Sequence, residues 1–277
     1  MARDWSRYWR STHQPLEAMH AHFEQHVYHQ HSHETYSFGV TEEGAQTFHC
    51  RGWVNTSAAG MVMALNPDDP HDGRAYDRSG FTYRMLHLGP DLVADVIADI
   101  TGQRAALPLF ADPVLDDPVL ARRLRVLHQA LVGRAAALRR DELLASAVAG
   151  LVRRATARPR LPAADTVPAG AEWVARRARQ FIHDTYGQDV TAEDLAAAAG
   201  RSRFAVHRAF RSVYGVAPSD YQRMLRLRTA RRLIAQGRPL SEAAAEAGFA
   251  DQSHLTRWFS RCYGITPGSY QRASTDE

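Results

Sequence analysis

The chain has 277 residues, 45% of them apolar, enough for two ordinary domains with a core each, and no run of apolar residues is long enough for a transmembrane helix. Its first ten residues carry Arg3, Arg7 and Arg10 and lack the apolar stretch of a signal peptide, while the two cysteines, Cys50 and Cys262, fall in different predicted domains; a disulfide framework is excluded and a cytoplasmic location expected. All basic residues are Arg, and residues 170–277 hold 16 of them against 11 acidic side chains, a net of +5 that is a modest signal for nucleic acid.

Residues 20–89 read as β-structure. Tyr36, Phe38 and Val40 alternate with Ser37 and Gly39, Glu42-Glu43-Gly44 reads as a turn, and Gln46, Phe48 and Cys50 then alternate with Thr47 and His49. Met61–Leu65 and Phe81–Leu88 are two further predicted strands, and short strands punctuated by Gly and Pro suggest a small barrel. Helical periodicity takes over at Pro90. Leu120, Leu124, Leu127 and Leu131 form one apolar stripe and Leu144, Val148 and Leu151 a second; these helices, within 90–157, are expected to cover the barrel or to pair with a second subunit. The segment 158–170, with three prolines and no periodicity, is the predicted linker.

From Ala171 to about residue 273 the pattern is helical throughout. It contains a degenerate duplication: Phe210, Tyr214, Gly215, Pro218 and Tyr221 return 49 residues later as Phe259, Tyr263, Gly264, Pro267 and Tyr270. Each copy follows an alanine-rich turn ending in glycine, Gly200 or Gly248, so helix, turn and helix occur twice. Thr191 with Asp194 reads as a capping box; Ser202, Ser241 and Asp251 read as N-caps, and Pro218 opens a long helix to about Ala235. The second helix of such a unit enters the major groove and meets base edges with its N-terminal half. The exposed positions there are Arg203, Phe204, His207 and Arg208 in the first copy, and Gln252, Ser253, His254 and Arg257 in the second. From glycine to the shared Phe the first copy takes ten residues and the second eleven, so one chain is expected to read two unlike sub-sites with its recognition helices out of register.

Gly248-Phe249, Phe259 and the ending Gly264-Ile265-Thr266-Pro267-Gly268-Ser269-Tyr270 resemble the signature of the AraC/XylS family of transcription regulators. His31-Ser32-His33-Glu34, Tyr36, Gly44, Gly60, Pro67, His71-Asp72-Gly73 and the strand from Tyr83 resemble the cupin-type ligand-binding domain that many members carry. The resemblance implies an α+β multidomain chain: a cupin-like barrel with flanking helices over 1–157 and an all-α double helix-turn-helix domain over 171–273. It implies a non-enzymatic regulator that binds double-stranded operator DNA, answers to a small-molecule effector, forms a homodimer and has RNA polymerase as a further partner. Some of Arg223, Arg226, Arg228, Arg231 and Arg232 on the long helix are expected to contact phosphate and others to pair or pack.

Six of the 14 histidines fall between His20 and His33. His29, His31, His33, Tyr36, His71, Tyr83 and Met85 are the candidates for an organic-ligand pocket. A runner-up reading, a metal sensor or metal-dependent cupin enzyme using His31, His33 and His71, rests on the two imidazoles that His-x-His places on one strand face. Against it, Glu34 follows His33 directly and so points to the opposite face. No cofactor is expected.

Overall fold

The computed structural model describes residues 4–103, 106–133, 135–155 and 170–273; the predicted linker falls outside them except for Gly170. The chain divides into a sheet-rich unit and a helical unit, the short segment Tyr28–His31 grouping with the latter.

The strands are β1 (Trp5–Arg10), β2 (Leu16–Phe23), β3 (Tyr28–His31), β4 (Tyr36–Cys50), β5 (Trp53–Ala58), β6 (Val62–Leu65), β7 (His71–Ala75), β8 (Phe81–Leu88) and β9 (Val114–Leu115), with helices α1 (Pro90–Thr101), α2 (Pro118–Val132) and α3 (Ala137–Val152). The main path of the sheet is β1-β2-β8-β4-β6-β9. The expected turn at Glu42-Glu43-Gly44 is not one. Instead β4 continues for 15 residues, with a register shift between Thr41 and Glu43: its first half pairs with β6 and β8, its second with β5 and β7. Such a bulge lets a strand bend and pass from one layer to the next. Gly44 makes the bend feasible, because its φ is +68° and a Cβ there would lie 2.1 Å from the Gly80 carbonyl oxygen.

Strand alternation gives the sheet two different faces. Leu16, Ala18, Tyr36, Phe38, Val40, Val62, Ala64, Leu86 and Leu88 form one, which joins Leu120, Leu124, Leu127, Leu131, Leu144, Val148 and Leu151 in a single core. The two helical stripes are therefore buried against the sheet of their own chain. Met19, Phe23, Gly39, Met63, Tyr83, Met85 and His87 occupy the other face, and Thr41 there bonds Ser57 of β5 at 2.8 Å.

His128 on α2 ties helix to sheet. Its Nε2–H donates to the Met19 carbonyl at 3.0 Å, and its Nδ1 faces Arg84 at 3.3 Å. Arg84 and Arg125 both bond Glu42. Burial, helped by the Arg84 charge, pushes the His128 pKa down from 6.5 to about 4. A depressed histidine pKa contributes stability that is full above pH 6.5 and is lost as pH falls through 4. Acid titration between those values is expected to cost the sheet-rich unit on the order of 3 kcal/mol at this group. A His128→Gln variant, which keeps a donor for Met19, should show a flatter stability–pH profile in chemical denaturation; an unchanged profile would contradict the assignment.

The helical unit comprises α4 (Ala171–Thr185), α5 (Ala192–Ala199), α6 (Arg203–Tyr214), α7 (Pro218–Ala235), α8 (Leu240–Glu246), α9 (Gln252–Tyr263) and α10 (Pro267–Gln271). The capping box is present: Thr191 accepts from the Asp194 amide while Asp194 accepts from the Thr191 hydroxyl and from its amide, which together lower the Asp194 pKa. Ser202 and Asp251 cap α6 and α9 as expected. Ser241 does not cap α8; the helix begins at Leu240 behind Pro239, leaving Ser241 inside its first turn.

Candidate functional site

The two recognition helices, α6 and α9, have the same length and the same register. Counting from their first residues, Arg203 matches Gln252, Arg208 matches Arg257 and Phe210 matches Phe259, a constant offset of 49. The expected difference in helix register is therefore corrected. The extra residue of the second copy lies wholly in the turn, where Gly200 precedes its N-cap by two residues and Gly248 by three. His207 consequently pairs with Thr256, a half-buried position that sequence reasoning passed over, and His254 with Ala205.

Arg203, Phe204, His207 and Arg208 are all exposed, as are Gln252, Ser253 and Arg257; His254 is half-buried. Phe204, 71% exposed, is an apolar side chain held in solvent at the head of α6. Arg203 is engaged with Glu193 at 2.7 Å. Arg208 and Arg257, at equivalent positions, make no hydrogen bond or ion pair with any described residue, so each is available for a guanine edge or a phosphate. Cys262 on α9 is buried, and burial raises its thiol pKa to about 12, which suits an inert packing residue.

The arginines of α7 largely serve the fold. Arg226 donates to the Tyr186 and Gln188 carbonyls at 2.7 and 2.6 Å, and Arg223 bonds Asp220 at 2.7 Å. Arg223 also stacks on the Trp258 ring at 3.7 Å, and Arg231 lies 5.4 Å from Tyr263 and 5.3 Å from Tyr270.

In the sheet-rich unit the pocket candidates separate. Tyr36 stands on the helix-covered face, stacked on Phe38 at 5.8 Å with its hydroxyl donating to the Pro108 carbonyl, and so is core; His29 is exposed. His33, His71, Tyr83 and Met85 are buried, and the His33 ring lies 5.3 Å from His71 and 4.6 Å from His87. His87, which sequence reasoning missed, shares the inner face with Tyr83 and Met85 at spacing two, a signal the alternation of β8 already carried. His71 is positioned by its Nδ1–H bond to the Asp69 carbonyl, and Asp69 is in turn held by Arg51. Burial lowers the His71 pKa, so the imidazole is neutral near pH 7. Gly39 faces Met63 and Met85, whose methyl carbons would lie 2.5 and 2.9 Å from an added Cβ. His31 is buried, with Nδ1–H donating to the His29 carbonyl at 2.7 Å. His31 falls in the segment that groups with the helical unit, whereas His33 and His71 lie in the sheet-rich unit.

The profile of the AraC-like ligand binding domain matches residues 13–148, and that of a helix-turn-helix domain matches residues 195–273. A Bacillus subtilis (strain 168) relative, the HTH-type transcriptional regulator YbfI, is 30% identical over 226 residues, 81% of this chain and 80% of its own. The chain belongs to the AraC family of transcriptional regulators. The transcriptional activator NphR of Rhodococcus sp is 36% identical over 100 residues, covering 36% of this chain and 29% of its own length. Among solved structures, apo ToxT from Vibrio cholerae aligns over 95% of this chain and 99% of its own with a TM-score of 0.57 at 11% identity, which shows a shared two-domain fold. Wild-type ToxT solved with an unsaturated fatty acid bound aligns over 99% and 98% with a TM-score of 0.52 at 10% identity. This AraC-family protein is thus a non-enzymatic transcriptional regulator with a ligand-binding domain and a DNA-binding domain. Among the described residues no helix is long and apolar enough to cross a membrane.

Three arginine substitutions separate binding from folding. Arg226→Ala removes one of the two side-chain donors of the Tyr186 and Gln188 carbonyls, the other being Gln222 Nε2, and is expected to destabilise the helical unit by about 1 kcal/mol in thermal unfolding while leaving the salt dependence of DNA binding unchanged. Arg208→Ala or Arg257→Ala should do the reverse: little change in melting temperature and weaker DNA binding. An unaltered DNA affinity in both would contradict their assignment.

Proposed function

We propose that this regulator binds a small carboxylic acid with an apolar body on the inner face of its sheet, and that binding alters its activity at the operator. The observation that carries the reading is the make-up of that face. Met63 and Met85 close on Gly39, Met19 lies opposite Met85 on the neighbouring strand, and their flexible thioethers can rotate to admit an apolar chain. The imidazoles of His33 and His87 can donate to a polar head, while His71, whose Nδ1–H is held by the Asp69 carbonyl, offers its Nε2 as an acceptor. The unsaturated fatty acid bound to ToxT supports this class. Such an acid changes activity only through different affinities for two states of the regulator. DNA is read by the exposed first turns of α6 and α9.

Oleate is the direct probe. It is expected to raise the melting temperature of the wild-type chain, and the gain should vanish in Gly39→Val, whose side chain occupies the space of the Met63 and Met85 methyls. No shift with the wild type would sink the acid class. The adjacent imidazoles of His33, His71 and His87 give the test a second arm: about one equivalent of bound metal by elemental analysis of purified protein would make the effector a metal ion instead. Gel shift against the chain's own upstream region tests the regulator itself; no preference over competitor DNA would contradict sequence-specific binding.

A further inference from the structure

The helix α9 carries one feature that α6 lacks. Where α6 has Ala205 and Ala209, α9 has His254 and Trp258, one turn apart and hydrogen-bonded: the indole Nε1–H of Trp258 lies 3.0 Å from His254 Nε2. An indole nitrogen is a donor only. His254 Nε2 must therefore be the acceptor, and in the neutral imidazole the proton sits on Nδ1.

Neither ring is free to turn. Trp258 is covered by the Arg223 guanidinium at 3.7 Å, with Arg261 at 5.4 Å. The His254 ring meets Phe249 edge-on at 5.4 Å, and its backbone amide is bonded by the Asp251 cap at 2.6 Å. His254 is the third residue of α9, in the first turn that meets base edges when a recognition helix enters the groove.

We infer that Trp258 is a positioning residue that locks His254 into its Nδ1–H form, so that the second module presents a single hydrogen-bond donor to the major groove and reads a base acceptor. The eligible acceptors are purine N7, guanine O6 and thymine O4; cytosine, which presents only its N4 donor there, is refused on the contacted strand. Without the lock, neutral histidine can either donate or accept and so discriminates less. The first module, with two alanines, has no counterpart, which makes this contact a source of difference between the two sub-sites. The inference rests on the DNA reading proposed above and sharpens it at one position.

Two measurements on the full chain test it. In the first, 15N–13C correlation spectra of the imidazoles report the tautomer: His254 is expected in the Nδ1–H form in the wild type and as a mixture in Trp258→Phe, which keeps an aromatic ring beneath Arg223 but removes the donor. An Nε2–H tautomer in the wild type overturns the inference. In the second, binding to a randomised duplex library is compared across variants. His254→Ala should lose about 5- to 150-fold on the preferred site and flatten the preference at one position that excludes cytosine. Trp258→Phe should flatten that same position and no other. A uniform loss across sequences in His254→Ala would mean a phosphate contact, and an unchanged profile in Trp258→Phe would mean the indole only packs; either contradicts the inference. Failure of the proposed DNA reading is distinguishable, because the wild type itself would then select no sequence.

Discussion

The geometry of the DNA-binding unit depends on how arginines in the middle of the long helix α7 fasten it to both helix-turn-helix modules. Arg226 satisfies the carbonyls of Tyr186 and Gln188 that follow α4, beside the first helix-turn-helix; Arg223 stacks on Trp258 and Arg231 on Tyr263 and Tyr270 of the second. All three lie in the middle of an 18-residue helix about 27 Å long, with Arg226 between Arg223 and Arg231 in the chain. Gln222 donates to the same two carbonyls, and cation–π contacts constrain both ring and guanidinium. The two recognition helices are therefore held as one body. Side chains that a charge count would assign to phosphate instead set the spacing at which bases can be read. The arginines left over, Arg208 and Arg257, sit at equivalent places on the two reading helices.

In the sheet-rich unit the corresponding constraint is the alternation of strand residues. One face is sealed by α1, α2 and α3 in a continuous apolar core. That core absorbs both leucine stripes, and it leaves a polar tether, His128 with Arg84, at its edge. The inner face is different in kind: three methionines, a glycine that makes room for two of them, and histidines of which His71 is held by the Asp69 carbonyl and His87 by the Ser37 hydroxyl. A rigid scaffold on one side and adaptable side chains on the other is an arrangement suited to ligand binding.

Much of this was legible in the sequence because local chemistry determined it. Thr191 with Asp194, Ser202 and Asp251 each satisfy their own helix ends, and Pro218 opens α7, so the bounds of α6, α7 and α9 matched expectation. Where tertiary context decides, local reading failed. Glu42-Glu43-Gly44 has turn composition, yet pairing with β8 on one side and β5 on the other carries β4 through it. Tyr36 alternates like a pocket residue, but which face of its strand turns inward depends on where the helices pack. The leucine stripes show an apolar face without showing what covers it. The extra residue between Gly248 and Phe259 is visible in the sequence, but only the position of the Asp251 cap shows that it belongs to the turn and leaves helix register untouched.

The central claim is that one chain reads two unlike sub-sites through two rigidly spaced helices, and the most direct measurement varies the spacing between those sub-sites. With the selected duplex as reference, inserting about five base pairs between them rotates one by half a helical turn relative to the other, and inserting about ten restores the face but not the distance. The structure leads us to expect that both insertions reduce affinity of the full chain to the level of a single sub-site. Undiminished affinity for either insertion, or selection of a palindrome in place of two different sub-sites, would contradict the account.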